Sequence, residues 1–301
     1  MTEIGDIRKV SAERIVSKIG ERAPEKKMSA NSPIGMFDSG VGGLTVLRAV
    51  MSELPHEDVV YFADTARVPY GGRSPQEIMN INHEIIGHLM AQGAKLIVMA
   101  CGTSSSIAYP VLKNQYKIPM VGLIGPGSVA SARMTRSGKI GLIATVRTVE
   151  SESFPKEIKS IKPGIDVFSQ SCPLFVPLIE GGFIDAEETK RAAREYLKPL
   201  QEAGVDTLIL GCTHYPHLTN IIREIMGPEV ALIDPALEAA KEVKKTLKKE
   251  GLLADRTSAA TYTYEVSGSA PQFEDLGSRL LGKPIASARK VNLVAKRGSI
   301  E

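Results

Sequence analysis

Cysteine is scarce in this 301-residue chain, which has three, at positions 101, 172 and 212. Three cysteines cannot build a disulfide framework, and their spacing matches no zinc ribbon or finger. A reducing compartment, the cytoplasm, is the simpler expectation. Net charge is also scarce: 37 Lys plus Arg face 34 Asp plus Glu, a formal +3. That balance gives no reason to expect nucleic acid as a partner. No apolar run reaches about 18 residues, so no membrane-spanning helix is expected. The N-terminal charges are not followed by an apolar h-region, so no signal peptide is expected. The phosphate-loop consensus G-x-x-x-x-G-K-[ST], the G-x-G-x-x-G fingerprint and C-x-x-C are all missing. What the chain does have is 43% apolar and 24% charged residues. Those are ordinary values for a folded protein and too apolar for disorder. The length suits one large domain or two smaller ones.

Residues 1–32 differ from the remainder of the chain. Ile4, Ile7, Val10, Ile15, Val16 and Ile19 lie among charges at roughly helical spacing, which predicts one short amphipathic helix in an N-terminal extension. A surface extension is the plain reading, and a regulatory or dimer-forming one the alternative; Met28 is an alternative start. From Pro33 onward, apolar runs at 34–37, 59–62, 96–100, 120–124, 140–144, 167–168, 207–210 and 231–233 predict strands. Amphipathic stretches at 44–54, 75–92, 104–114, 189–203 and 218–226 predict helices between them. This alternation predicts an α/β fold with mostly parallel sheets. Ligands then bind beyond the carboxyl ends of the strands.

Three strand ends carry chemistry. Phe37-Asp38-Ser39-Gly40-Val41-Gly42-Gly43 places a carboxylate and a hydroxyl before a glycine-rich turn into a helix. Its plain reading is a structural turn with Asp38 as a helix cap; its functional reading is a site for a small carboxylate. Ala100-Cys101-Gly102-Thr103-Ser104 and Gly211-Cys212-Thr213-His214-Tyr215 each set a cysteine just past an apolar strand, with hydroxyls next in line. A lone cysteine there is usually a small buried hydrophobe, but the matched pair argues for function. A redox pair lacks C-x-x-C. A metal site has His214, His217 and Asp38 to draw on, but no recognised ligand array. Paired proton transfer fits better: one thiolate removes a proton and the opposite thiol returns one, inverting a stereocentre without a cofactor. Asp38 is positioned in sequence to assist Cys101, and His214 to assist Cys212.

These segments resemble glutamate racemases, of the aspartate/glutamate racemase family. The resemblance lies in Phe37-Asp38-Ser39-Gly40-Val41-Gly42-Gly43-Leu44-Thr45, in Asp64-Thr65-Ala66-Arg67-Val68-Pro69-Tyr70-Gly71 and in Gly211-Cys212-Thr213-His214-Tyr215-Pro216. Weaker matches are Val121 to Gly127, Cys172 to Glu180 and Ser267 to Phe273. The resemblance implies interconversion of L- and D-glutamate without pyridoxal phosphate or metal, with D-glutamate passing to peptidoglycan. It implies two similar α/β domains, 33–120 plus 235–301 and 121–234, with the active site between them. Cys101 matches the thiol that acts on D-glutamate and Cys212 the one that acts on L-glutamate. Asp38, Glu180 and His214 match auxiliary acid–base groups, and Ser39, Tyr70, Gly71, Thr103 and Thr213 match substrate contacts. Cys172 matches a structural Cys-Pro turn. A small-molecule partner, glutamate, is implied, with neither nucleic acid nor membrane; a homodimer stays open.

Two positions depart from the resembled pattern. Gly102 stands where Cys-Asn-Thr is usual, and Gly125 where a glutamate is common. The missing side chain at 102 removes a hydrogen bond worth about 0.5–1.5 kcal/mol, so Gly102→Asn is expected to tighten glutamate binding. Gly102 also keeps open a two-thiol racemase or isomerase of another acidic amino acid or a dicarboxylate. A binding or regulatory protein on the same fold is the third reading, and the two intact thiols argue against it.

Overall fold

The computed structural model describes residues 28–293. The expected N-terminal helix lies outside the described residues, and 28–32 form loop and turn. In chain order the strands are β1 (Ile34–Asp38), β2 (Val59–Ala63), β3 (Leu96–Met99), β4 (Met120–Val121) and β5 (Lys139–Ala144). Then come β6 (Asp166–Ser171), β7 (Thr207–Leu210), β8 (Ala231–Ile233), β9 (Tyr262–Val266) and β10 (Arg289–Lys290). Among the described residues they form two sheets, ordered β10-β9-β2-β1-β3-β4 and β6-β5-β7-β8. Every pairing is parallel, as the α/β reading expects. The second sheet is inserted in sequence between β4 and β9 of the first.

The central strands are short and apolar throughout because helices cover both faces. β1, β2, β3 and β7 are buried at every position. Two of the four edge strands are polar, β6 being half-exposed and β10 an exposed Arg-Lys pair, which discourages further pairing there. Helix Pro75–Ala91 starts at a capping box, in which Ser74 Oγ accepts from Glu77 N–H and Glu77 Oε2 accepts from Ser74 N–H. Helix Pro235–Lys249 starts at Asp234, whose Oδ1 accepts from Ala236 N–H at 2.9 Å. That helix lays Ala236, Ala239, Ala240 and Val243 inward and packs on both Leu44–Glu53 and Ile124–Met134, joining the two sheets.

The sequence expectations differ from the structure in several places. The helix expected at 104–114 begins at Gly102 and breaks at Ala108 into Gly102–Ile107 and Tyr109–Leu112. Pro110 has no N–H to give the Ser106 carbonyl, which accepts from Ser153 Oγ at 3.0 Å instead. The strand expected at 120–124 ends at Val121. Leu123 N–H turns to Ser105 Oγ at 3.1 Å, leaving the ladder, and Ile124 opens helix Ile124–Met134. Helices Ile124–Met134, Val146–Glu150, Ser153–Ile161, Phe175–Glu180, Pro235–Lys249 and Ala270–Leu281 and strands β9 and β10 were not individually anticipated.

Candidate active site

Both sheets bring their functional residues to a reversal of strand order. β1 pairs with β2 on one side and β3 on the other; β5 likewise pairs with β6 and β7. At such a point the loops leaving adjacent strands diverge and open a crevice. The first reversal presents Asp38 at the end of β1 and Cys101 after β3; the second presents Thr145 after β5 and Cys212 after β7. The two crevices face each other across one cleft of about 500 Å³, counting its open mouth. Asp38, Ser39, Tyr70, Gly71, Cys101, Gly102, Thr103, Glu180, Cys212, Thr213 and His214 all line it.

Asp38 is 1% exposed. Its Oδ2 accepts from Gly40 N–H and Gly43 N–H, each at 3.0 Å. Burial pushes its carboxyl above the usual range, while these N–H donors and the charge of His214 pull the other way. A Cβ on Gly43 would lie 2.5 Å from Asp38 Cβ, so the turn that holds the carboxylate requires glycine. Cys101 precedes helix Gly102–Ile107 and its thiol donates to Ser39 Oγ at 3.8 Å. Burial first, then the Asp38 charge, push that thiol up to about 12, against Ser104 and Ser39 donors that lower it. Cys101 therefore rests as a neutral thiol at pH 7.

The opposite thiol has different company. His214 Nδ1 lies 3.8 Å from Cys212 Sγ, and His214 Nε2 donates to Glu180 Oε1 at 2.9 Å. Burial would lower the imidazole pKa, but hydrogen bonds to Cys212 and Glu180 outweigh it and raise it to about 10. Held as an imidazolium, His214 offers one N–H to the sulfur and the other to the carboxylate. The glycine turn of the first sheet abuts this ring: a Cβ on Gly42 would fall 2.4 Å from His214 Nδ1. Thr45 Oγ1 also donates across the cleft to the Thr213 carbonyl at 2.9 Å.

Tyr70 and Gly71 form another wall. Tyr70 O–H donates to Asp64 Oδ2 at 2.5 Å, and the buried Asp64 also accepts from Arg67 Nε and from Ser267 Oγ at 2.7 Å. Thr103 Oγ1 lies 3.4 Å from Thr145 Oγ1, bridging the sheets. Thr145, Val68, Val176 and Gly211 line the cleft as well and were not singled out from the sequence. Thr145 directly follows β5, so the strand-end rule that found Cys101 reaches it too. Cys172 is outside the cleft, 1% exposed, with its carbonyl accepting from Tyr215 O–H at 3.0 Å. His217 also stands apart; burial, then the charges of Arg48 and His214, hold it down at about 4. Among the described residues, no group of three or more His, Cys, Asp or Glu side chains is placed to hold a metal ion, and no helix is long and apolar enough to cross a membrane.

This arrangement matches a known family. The sequence model described as Asp/Glu/Hydantoin racemase matches residues 44–243. The chain belongs to that family. It is an isomerase of the racemase kind. A glutamate racemase of Geobacter metallireducens is 46% identical over 264 residues, covering 88% of this chain and 98% of the relative. The glutamate racemase isoform RacE1 of Bacillus anthracis superposes with a TM-score of 0.84 at 36% identity, over 87% of this chain and 98% of that one. A glutamate racemase of Francisella tularensis, solved in complex with D-glutamate, gives 0.82 at 36% identity, over 88% and 98%.

Proposed function

We propose that this racemase interconverts L- and D-glutamate through Cys101 and Cys212, working on opposite faces of the α-carbon. The observation that carries the reading is the pair of thiols, delivered by two different sheets to one cleft, each with its own polar support. One thiolate takes the α-proton and an S–H bond forms as the C–H bond breaks. The opposite thiol gives its proton to the other face, so one S–H is made, one is lost, and no electrons leave. Acting on L-glutamate, Cys101 holds a proton to give, and the His214 imidazolium faces Cys212 Sγ at 3.8 Å. For D-glutamate, Cys101 must first lose its proton, and Asp38 is the acceptor, since burial has already pushed its carboxyl up. Ser39, Thr103, Thr213, Tyr70 and Gly71 hold the two carboxylates and the ammonium.

The same reading assigns 33–120 plus 235–301 to one α/β domain and 121–234 to the other, which the membership of the two sheets supports. Free cysteines at 101, 172 and 212 support a reducing compartment, the cytoplasm, where D-glutamate enters peptidoglycan synthesis. A second substrate is favoured by Gly102 alone, which leaves no side chain to grip glutamate at that wall.

Incubation with L-glutamate in D2O, followed by proton NMR and chiral analysis, tests the proposal. Deuterium at the α-carbon and D-glutamate without added cofactor are expected. Neither appearing, or turnover only with another acidic amino acid in the panel, would sink it. Cys101→Ser and Cys212→Ser should each lower turnover by about 10²–10⁴, the usual worth of a positioned acid or base.

A further inference from the structure

We propose that Gly102 sets how far the cleft closes, and so fixes the gap between the two thiols; this rests on the two-thiol reading. Gly102 directly follows Cys101, and Gly211 directly precedes Cys212. A Cβ on Gly102 would lie 2.8 Å from the Gly211 carbonyl oxygen, closer than two such atoms pack. The two cysteine-bearing segments therefore meet backbone to backbone. Neither can yield locally. Gly211 N–H donates to the Ile143 carbonyl at 2.7 Å. The other side of Gly211 is closed as well, where a Cβ would meet Leu142 Cδ1 at 2.7 Å. On the facing side, Ala100 N–H donates to the Phe37 carbonyl, Ser105 N–H to the Cys101 carbonyl, and Ser106 Oγ to the Gly102 carbonyl, each at 2.8 Å. With both segments locked into their sheets, a side chain at 102 acts on the spacing between sheets. The neighbouring contacts that depend on that spacing are Gly42 on His214, Thr45 to Thr213 and Thr103 to Thr145.

The geometry reverses the sign expected for Gly102→Asn. A larger residue wedges the sheets apart before its amide can reach a ligand. Racemisation depends on both sulfurs reaching one carbon, and a displacement near 1 Å costs about 10²-fold. Gly102→Ala should lower kcat/KM about 10- to 100-fold, and Gly102→Asn by more. Gly125→Ala, at a position with only Glu157 Oε1 within 4.0 Å of the added carbon, serves as the control and should leave kcat/KM unchanged.

Alkylation of the free protein by iodoacetamide reads closure without substrate. In Gly102→Ala, Cys101 and Cys212 should be labelled roughly threefold faster or more, since thiol reactivity follows access, with the melting temperature kept. Unchanged labelling overturns the proposal even if activity falls, because the residue is then a pocket contact alone. Unchanged kcat/KM overturns it too, as does a variant that fails to fold, since an opened cleft leaves both sheets packed. Faster labelling in a protein inert toward glutamate would sink the glutamate reading and leave the role of Gly102 standing.

Discussion

At the scale of single residues, the two thiols sit in unequal electrostatic settings. Within the one cleft, Cys101 lies near a buried carboxylate, whereas Cys212 lies beside an imidazolium. His214 should keep its proton until about pH 10. Because that value lies above the ordinary 6.5, its protonation stabilises the fold fully below pH 6.5, and the contribution is lost as pH rises through about 10. Glu180→Gln removes the charge facing His214 Nε2. A pH–rate profile with L-glutamate should then show its basic limb about one unit lower, the worth of one charge-assisted hydrogen bond. An unmoved limb would show that Glu180 does not tune His214. Asp38, Cys101 and Cys212 were legible in the sequence because each ends an apolar run where a parallel sheet exposes its loops. Glu180 ends a helix and was legible only through resemblance. The role of Gly102 was not legible, because its contact belongs to the other sheet and exists only after both have folded.

At the scale of elements, helices did most to hide themselves or reveal themselves through their ends. Pro75–Ala91 was legible from its amphipathic run at 75–92, and the structure adds the capping box of Ser74 and Glu77. Pro235–Lys249 was missed although Asp234-Pro235 is a start signal and its faces divide clearly, with Ala236, Ala239, Ala240, Val243 and Leu247 buried opposite a Lys- and Glu-rich side. Its cap is nonetheless worth testing, because this helix joins the two sheets. Asp234→Ala should cost about 1 kcal/mol in urea denaturation, while Asp234→Asn, which keeps the accepting oxygen, should cost little. Equal losses would mean that Asp234 acts through its charge instead. The break at Ala108 and the early end of β4 both went unanticipated. Each leaves a backbone group to a hydroxyl distant in sequence, Ser153 for one and Ser105 for the other, although Pro110 already marked the first of them locally.

At the scale of the whole molecule, the interruption of one sheet by the other has a temporal consequence. β2 lies between β1 and β9, with Tyr61 aligned to Tyr264, so the first sheet needs strands from both ends of the described chain. The sheet built from β5 to β8 is contiguous in sequence. Contacts between distant segments close slowly because the intervening chain must be ordered first. On a ribosome, or in refolding, the contiguous sheet should therefore be complete while β2 still lacks its outer neighbour. Pulse-labelled hydrogen exchange should find amides of β5 and β7 protected before those of β2 and β9; simultaneous protection would refute this order. The cleft, which needs both sheets, then assembles last. A chain caught partway holds Cys101 and Cys212 as two separate, accessible thiols, and only the final docking turns them into a pair.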